Sequence, residues 1–265
     1  MVGLALKSRS ELLAQARAGV QKAFSEKDLL LIQATRALDD LDEAKSLLFQ
    51  RLQEWARLNF PELVLDNEEA TAALIAEFGD KEDLEFNRLS EIVGADKAVE
   101  LMERAGQSFG ARFDLNDRKA VMSLAKRVKE LCEARREVEA YIERLAGEKL
   151  KNLSFLTDAL FAARLVTTAG GLERLAKMPA STIQVIGAEK ALFKHLRLKA
   201  RPPKHGVIFN CGIVRSAPAA ERGRVARALA GKLAIAAKAD FYSHSFIAPK
   251  LKQELEERLK KIRAG

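Results

Sequence analysis

The sequence predicts an all-α protein: a long antiparallel coiled coil carrying a helical tip, followed by a compact helical domain. Three observations carry that expectation. Apolar residues recur at 3,4 spacing over two long stretches with few breaks. Shorter helix-compatible runs between and after them are punctuated by glycine and proline. Aromatics make up only 6% of the chain, which favours helices packed through Leu and Ala.

Taken in order, residues 1–23 read as an N-terminal helical appendage, with Ser10 as N-cap and Leu12, Leu13, Ala16 and Val20 at helical spacing. Residues 24–149 read as the coiled coil. In its first helix Leu31, Ala34, Leu38, Leu41, Leu48, Leu52 and Trp55 form an apolar seam, with Lys45 filling one position. In its second, Val121, Leu124, Val128, Leu131, Val138, Ile142 and Leu145 repeat 3,4 with only Arg135 interrupting. Leu124, Val128, Leu131 and Val138 are the candidate dimerisation residues. Sequence alone does not separate that use from pairing within one chain.

Residues 60–116 read as the inserted tip, with helical pieces near 67–78, 81–93 and 95–108 separated by Gly79, Gly94 and Gly106. Asp114, Asn116 and Asp117 slightly resemble a calcium loop but lack its glycine and closing glutamate, so the favoured reading is a cap for the second long helix. Asp39, Asp40, Asp42 and Glu43 read as a solvated face.

Residues 150–265 read as the second domain. Helices are expected over 154–168, ending at Gly170 and Gly171, then over 172–177, 188–198 and 219–239, with an amphipathic tail over 246–262.

Charge is divided unevenly along the chain. Residues 1–149 carry 23 Lys and Arg against 29 Asp and Glu, a balance of −6; residues 150–265 carry 22 against 8, a balance of +14. A basic half beside an acidic half points to a polyanion as partner of one half only. Cys132 and Cys211 have no metal-ligand spacing and read as free buried thiols. No apolar run approaches the ~20 residues of a membrane span. The opening MVGLALKSRSELL has too short an apolar core for a signal peptide, so the expected location is cytoplasmic.

No GxxxxGK[ST], GxGxxG, HExxH or nucleophile-elbow motif occurs. His195, His205 and His244 sit among cations in sequence, without a neighbouring carboxylate to orient a general base. The expectation is a protein that is not an enzyme and takes no cofactor or metal.

The basic excess concentrates between Met178 and Asp240. Gly187 and Ala188 precede a helical run whose N-terminus would offer N–H groups to an anion. Lys190, Lys194 and Arg197 then share one face at i, i+4 and i+7. Phe193 between them either stacks on a base or packs inward; the company of Leu192 and Leu196 favours the core. Arg201, Lys204 and His205 follow in a loop stiffened by Pro202 and Pro203. Arg215 comes next, and Arg222, Arg224 and Arg227 crowd the start of an alanine-rich helix. Cations there oppose the helix dipole, a conflict that an external anion or Glu221 would relieve.

At these residues a family resemblance is evident. GAEKALFKH (187–195), RPPKHGVIF (201–209), VRSAP (214–218) and GRVARALAGKLAIAAKAD (223–240) closely resemble the Nop domain of archaeal box C/D small ribonucleoprotein scaffolds, shared with nucleolar and spliceosomal relatives. The likeness covers roughly Phe24 to Ile262, and AGGLERLAKMPASTIQVIGAEKALF favours the archaeal guide-RNA branch.

The resemblance implies a noncatalytic RNA-binding scaffold that dimerises through its coiled coil. Its Nop domain would bind a kink-turn in a box C/D-type guide RNA together with a small ribosomal-type protein, supporting 2′-O-methylation by a fibrillarin-type methyltransferase. By match, Gly187, Ala188, Glu189, Lys190, Phe193 and Lys194 would meet the end of the guide–target duplex. Arg197, Arg201, Lys204, His205, Arg215, Arg222, Arg224 and Arg227 complete the expected RNA surface. Full-length scaffolds hold the methyltransferase through a mixed α/β domain ahead of the rod. Only about 23 residues precede it here, which leaves that docking undecided.

Overall fold

The computed structural model describes residues 9–14, 17, 27–199 and 201–264, and among them there are helices but no strand. The chain divides into two units, residues 37–138 and residues 1–36 with 139–265.

The unit 37–138 is built on parts of two long helices, α1 (Lys27–Asn59) and α5 (Leu115–Lys149), joined by α2 (Glu68–Phe78), a 3₁₀ turn (Lys81–Asp83), α3 (Phe86–Val93) and α4 (Ala95–Gln107). The long helices are antiparallel here: Asp42 meets Arg135 near one end, while Ala111 N–H donates to the Leu58 carbonyl near the other. Phe49, Leu52 and Ala56 of α1 and Val121, Ala125 and Val128 of α5 share one core with Ala72, Ile75, Phe78, Leu89 and Leu101 of the tip. The expected seam therefore needs one correction. Trp55 is 36% exposed and Leu48 only half-buried, while Phe49 and Ala56 take the inward positions. The buried positions Leu31, Thr35, Leu38, Phe49, Leu52 and Ala56 keep 4,3 spacing throughout, so the inward stripe takes the residue after Ala34, Leu48 and Trp55 in each case.

Polar residues on the seam find partners. Arg135 donates to Asp42 at 2.7 Å, and Lys45 pairs with Glu68 of α2 at 2.8 Å. Asp42, expected on a solvated face, is thus half-buried in an ion pair. Helix ends in the tip follow local chemistry. Asn67 accepts from the N–H groups of Glu69 and Ala70, and Gly79 closes α2 in the left-handed region at φ 69°. Asp114 accepts from the N–H groups of Asn116 and Asp117 at 2.7 and 2.8 Å, the capping role expected of it.

In the other unit residues 9–14 are helical, with Ser10 inside the run rather than capping it; Ala16 and Val20 lie outside the described residues. Beyond α5 come α6 (Lys151–Leu156), α7 (Ala159–Ala169), α8 (Leu172–Lys177), α9 (Ala180–Val185), α10 (Glu189–Leu198), a 3₁₀ turn (Val207–Asn210), α11 (Gly212–Arg215), α12 (Arg222–Lys238), a π turn (Ala239–Ser243) and α13 (Ala248–Ala264). The helix expected over 154–168 is two helices, because Asp158 turns its carboxylate to the Phe161 N–H at 2.7 Å and starts α7 afresh. Gly170, at φ 80°, ends α7 as expected.

The alanine-rich α12 is the hub of this unit, and α6, α8, α9 and α13 all pack on it. Val225, Ala226, Leu229, Ala230, Leu233, Ala234, Ala236 and Ala237 are buried. Small side chains at these positions let neighbouring helices approach closely, the role expected from sequence.

Two buried polar residues tie α6 to the end of α12. Asn152 is 1% exposed and satisfies its whole side-chain amide: Nδ2 donates to Asp240 and to the Ser245 carbonyl, while Oδ1 accepts from the N–H groups of Ile247 and Ala248. Asp240 also accepts from the backbone N–H groups of Asn152 and Leu153 at 2.9 and 3.0 Å. Burial nevertheless pushes its carboxyl above the ordinary range.

Both cysteines are free and buried, and loss of solvent raises both thiols. Among the described residues no helix is long and apolar enough to cross a membrane.

Candidate nucleic-acid interface

The expected RNA-contacting residues run from the end of α9 into α12, and two close backbone approaches, at Gly187 and Gly206, hold the segments on either side of α10. Gly187 sits at φ 80°, and a Cβ there would lie 2.4 Å from Cγ2 of Val207. At Gly206 a Cβ would lie 1.9 Å from the Ile186 carbonyl oxygen. With no side chain in the way, Gly206 N–H donates to the Gln184 carbonyl at 2.9 Å and Val207 N–H to the Ile186 carbonyl at 2.8 Å. The Gln184 side-chain amide donates to the Lys204 carbonyl at 2.7 Å. The backbone of Lys204 and Gly206 is therefore pinned to α9, while the side chains of Arg201 and Lys204 stay exposed.

Beside the pinned loop the His205 ring stacks on Phe209, with centroids 4.7 Å apart and planes 18° from parallel. The Arg222 guanidinium lies over the same ring at 5.4 Å, and its Nε donates to the Ala217 carbonyl at 3.0 Å. Arg222 is thus half-buried and tied to its own chain, where the sequence had suggested a side chain available to outside partners. Arg215 is exposed nearby, its carbonyl 3.5 Å from the Arg222 guanidinium. Glu221 occupies the N-cap position of α12 but makes no side-chain cap bond.

α10 behaves differently from the expectation. None of its residues is buried. Phe193 is 60% exposed and Leu196 68%, so the favoured inward packing of Phe193 does not occur. Leu192 and Leu196 have core-like spacing, but among the described residues no element packs closely enough over that face to bury either of them. Lys190, Lys194 and Arg197 are exposed along the same helix. Glu189 turns its carboxylate back to the Gly187 N–H at 2.8 Å, and Ala188 forms the N-cap without a side-chain bond.

Arg224 and Arg227 stand apart from Arg222 and open toward α13, where Arg258 and Lys261 meet them across a groove. Phe209, Gln184, Arg258 and Lys261 were missed in the sequence reading. Phe209 lay inside a quoted motif, and Arg258 and Lys261 had i, i+3 spacing, but the mixed charges of the tail hid them. One histidine reading is also corrected: His244, read from sequence as lacking a neighbouring carboxylate, lies close enough to Asp240 to lower that carboxyl. In the other unit Val128 is fully buried within the chain, while Leu124, Leu131 and Val138 are half-buried.

The groups gathered between α9 and α12 are cations, an imidazole and aromatic rings, an inventory suited to phosphate contact and stacking. A family model described as "Nop: snoRNA binding domain, fibrillarin" matches residues 37–261. The chain belongs to the Nop family.

Among relatives of this Nop chain, a NOP5 family protein of Methanocaldococcus jannaschii is 43% identical over 246 residues, covering 92% of the chain and 59% of the relative. Nucleolar protein 56 of Homo sapiens is 34% identical over 259 residues, covering 94% and 44%. The Nop chain thus spans about half the length of these relatives. A solved structure, that of a fibrillarin/Nop5p complex, is similar with a TM-score of 0.56 and 27% identity, covering 96% of this chain and 77% of that one.

Proposed function

We propose that this Nop chain is a noncatalytic RNA-binding scaffold of a box C/D-type guide ribonucleoprotein. In this reading its 150–265 domain grips a kink-turn RNA jointly with a small ribosomal-type protein, and its coiled coil brings two copies together. The observation that carries the reading is α10, a helix with no buried residue that presents Phe193, Lys190, Lys194 and Arg197 to solvent. An aromatic left 60% exposed between cations suits stacking on a terminal base pair. The pinned loop bearing Arg201, Lys204 and His205 suits phosphate contacts that set register. The family membership supports the same direction.

The test is a gel shift with a kink-turn RNA, with and without the small protein. Binding at moderate salt is expected in the presence of that protein, and no shift in either case would overturn the proposal. Phe193→Ala should weaken the complex by about 1–3 kcal/mol while leaving the melting temperature unchanged. An equal loss of stability and binding would assign Phe193 to packing instead. For the methyltransferase, the similarity to a fibrillarin/Nop5p complex supports fibrillarin as the partner. Co-purification from native cells should recover it together with the scaffold.

A further inference from the structure

The groove between α12 and α13 has a volume of about 440 Å³ and is lined by Arg224, Arg227, Ala228, Arg258, Lys261 and Ile262. All four cations are exposed, and among the described residues none has a carboxylate within ion-pair distance. Two carboxylates border the same cations, since Glu254 and Glu257 line the adjoining pocket with Arg227, Arg258 and Lys261, but Glu254 is taken by Lys232 at 2.6 Å and Glu257 alone leaves the four cations in excess. Four like charges facing one another across a cleft repel, and Arg224 and Arg227 in addition sit in the first turns of α12, against its dipole. Placement near the C-terminal end of α13 accounts for Lys261 through the dipole of that helix. It does not account for Arg224 and Arg227 opposite.

Continuity with the loop identifies the ligand chemistry. Gly223 has no side chain, and carbons of Lys204 lie 3.7–3.9 Å from where its Cβ would be. Lys204 therefore lies across the first turn of α12, and Gly223 is one turn from Arg227. Lys204 thus sets a cation at the N-terminal end of α12, from which Arg224 and Arg227 open into the groove. Among the described residues its apolar lining is Ala228, half-buried, and Ile262, 5% exposed, neither of which supplies the aromatic or large aliphatic anchor that a protein partner would need. It also lacks an aromatic ring for a base to stack on, which leaves repeated phosphates as the matching feature.

We propose that this groove is a second phosphate-binding surface, which carries the backbone of the bound RNA onward from Lys204 between α12 and α13. The proposal rests on the RNA-binding reading above and adds Arg258 and Lys261 to the interface. Fluorescence anisotropy of the full chain with the small ribosomal-type protein, on a kink-turn RNA with an extended stem over a KCl series, tests it. Removing two phosphate contacts should lower the slope of log K against log salt by about 1.8, at ~0.9 per contact. Arg258→Ala/Lys261→Ala is expected to show that drop with at least a tenfold loss of affinity, and Arg224→Ala/Arg227→Ala the same.

Lys250→Ala/Lys252→Ala removes equal charge from α13 outside the groove and is expected to leave the slope unchanged. Circular dichroism melts should match for all variants, since every altered side chain is exposed. An unchanged slope in both groove variants overturns the groove while leaving the RNA-binding reading intact. An equal drop in the Lys250/Lys252 variant also overturns it, in favour of net charge alone. Failure of the unaltered chain to bind overturns both proposals.

Discussion

Asp80, 3% exposed in the tip, shows how a single buried charge is kept. Burial works against its ionisation, but N–H groups of Glu82 and Phe113, the Asn59 side chain and the Arg118 guanidinium outweigh it, holding the carboxyl below its ordinary value. A folded-state value below the unfolded one, near 3.9, gives stability that is present above that pH and lost as pH falls through the folded value. Asp80→Asn should therefore be less stable than the parent by ~2–3 kcal/mol at pH 7. That gap should shrink toward pH 2.5, as thermal melts at both pH values will reveal; a constant gap would mean the charge is irrelevant. Asp80 was invisible in the sequence because Phe113 is 33 positions away. Asp114 was legible as a cap because its partners are the N–H groups two and three residues on. Phe193 was misjudged for a related reason: spacing reports a possible apolar face, and whether anything covers it depends on distant chain.

Among elements, the long helices and the tip pieces were legible because glycine, proline and caps act within a few residues. The split of α6 from α7 was also written locally, in Asp158, but an unbroken apolar periodicity overrode it. The least legible element was the loop 201–206, whose conformation depends on α9. Gly206 decides it, since any side chain would strike the Ile186 carbonyl. Gly206→Ala should detach the loop and cost roughly 2–4 kcal/mol, visible as a lower melting temperature. It should weaken RNA binding beyond the loss caused by Lys204→Ala alone. Equal melting temperatures for the parent and Gly206→Ala would show that the loop tolerates displacement.

For the molecule as a whole, the charge imbalance between residues 1–149 and 150–265 was the most informative feature of the sequence, since it marked which half to search for an anion surface. The use of the seam was not legible, because one apolar stripe serves equally for pairing within a chain or between chains. Val128 is consumed within the chain, whereas Leu131 and Val138 are half-buried, and Leu47 and Leu58 of α1 are 57% and 62% exposed. Apolar area thus remains for a second copy. On the two-copy reading proposed above, Leu131→Asp/Val138→Asp should lower the mass seen by light scattering to that of one chain, and an unchanged mass would confine the seam to a single chain. The Asn152 junction bears on how the protein is made. Its amide is completed by residues around position 247, so a nascent chain cannot settle the beginning of its basic half until nearly all of that half has left the ribosome. Fragments ending before Ala248 would expose the same vacancies, and division of the protein for separate production should leave 150–264 in one piece.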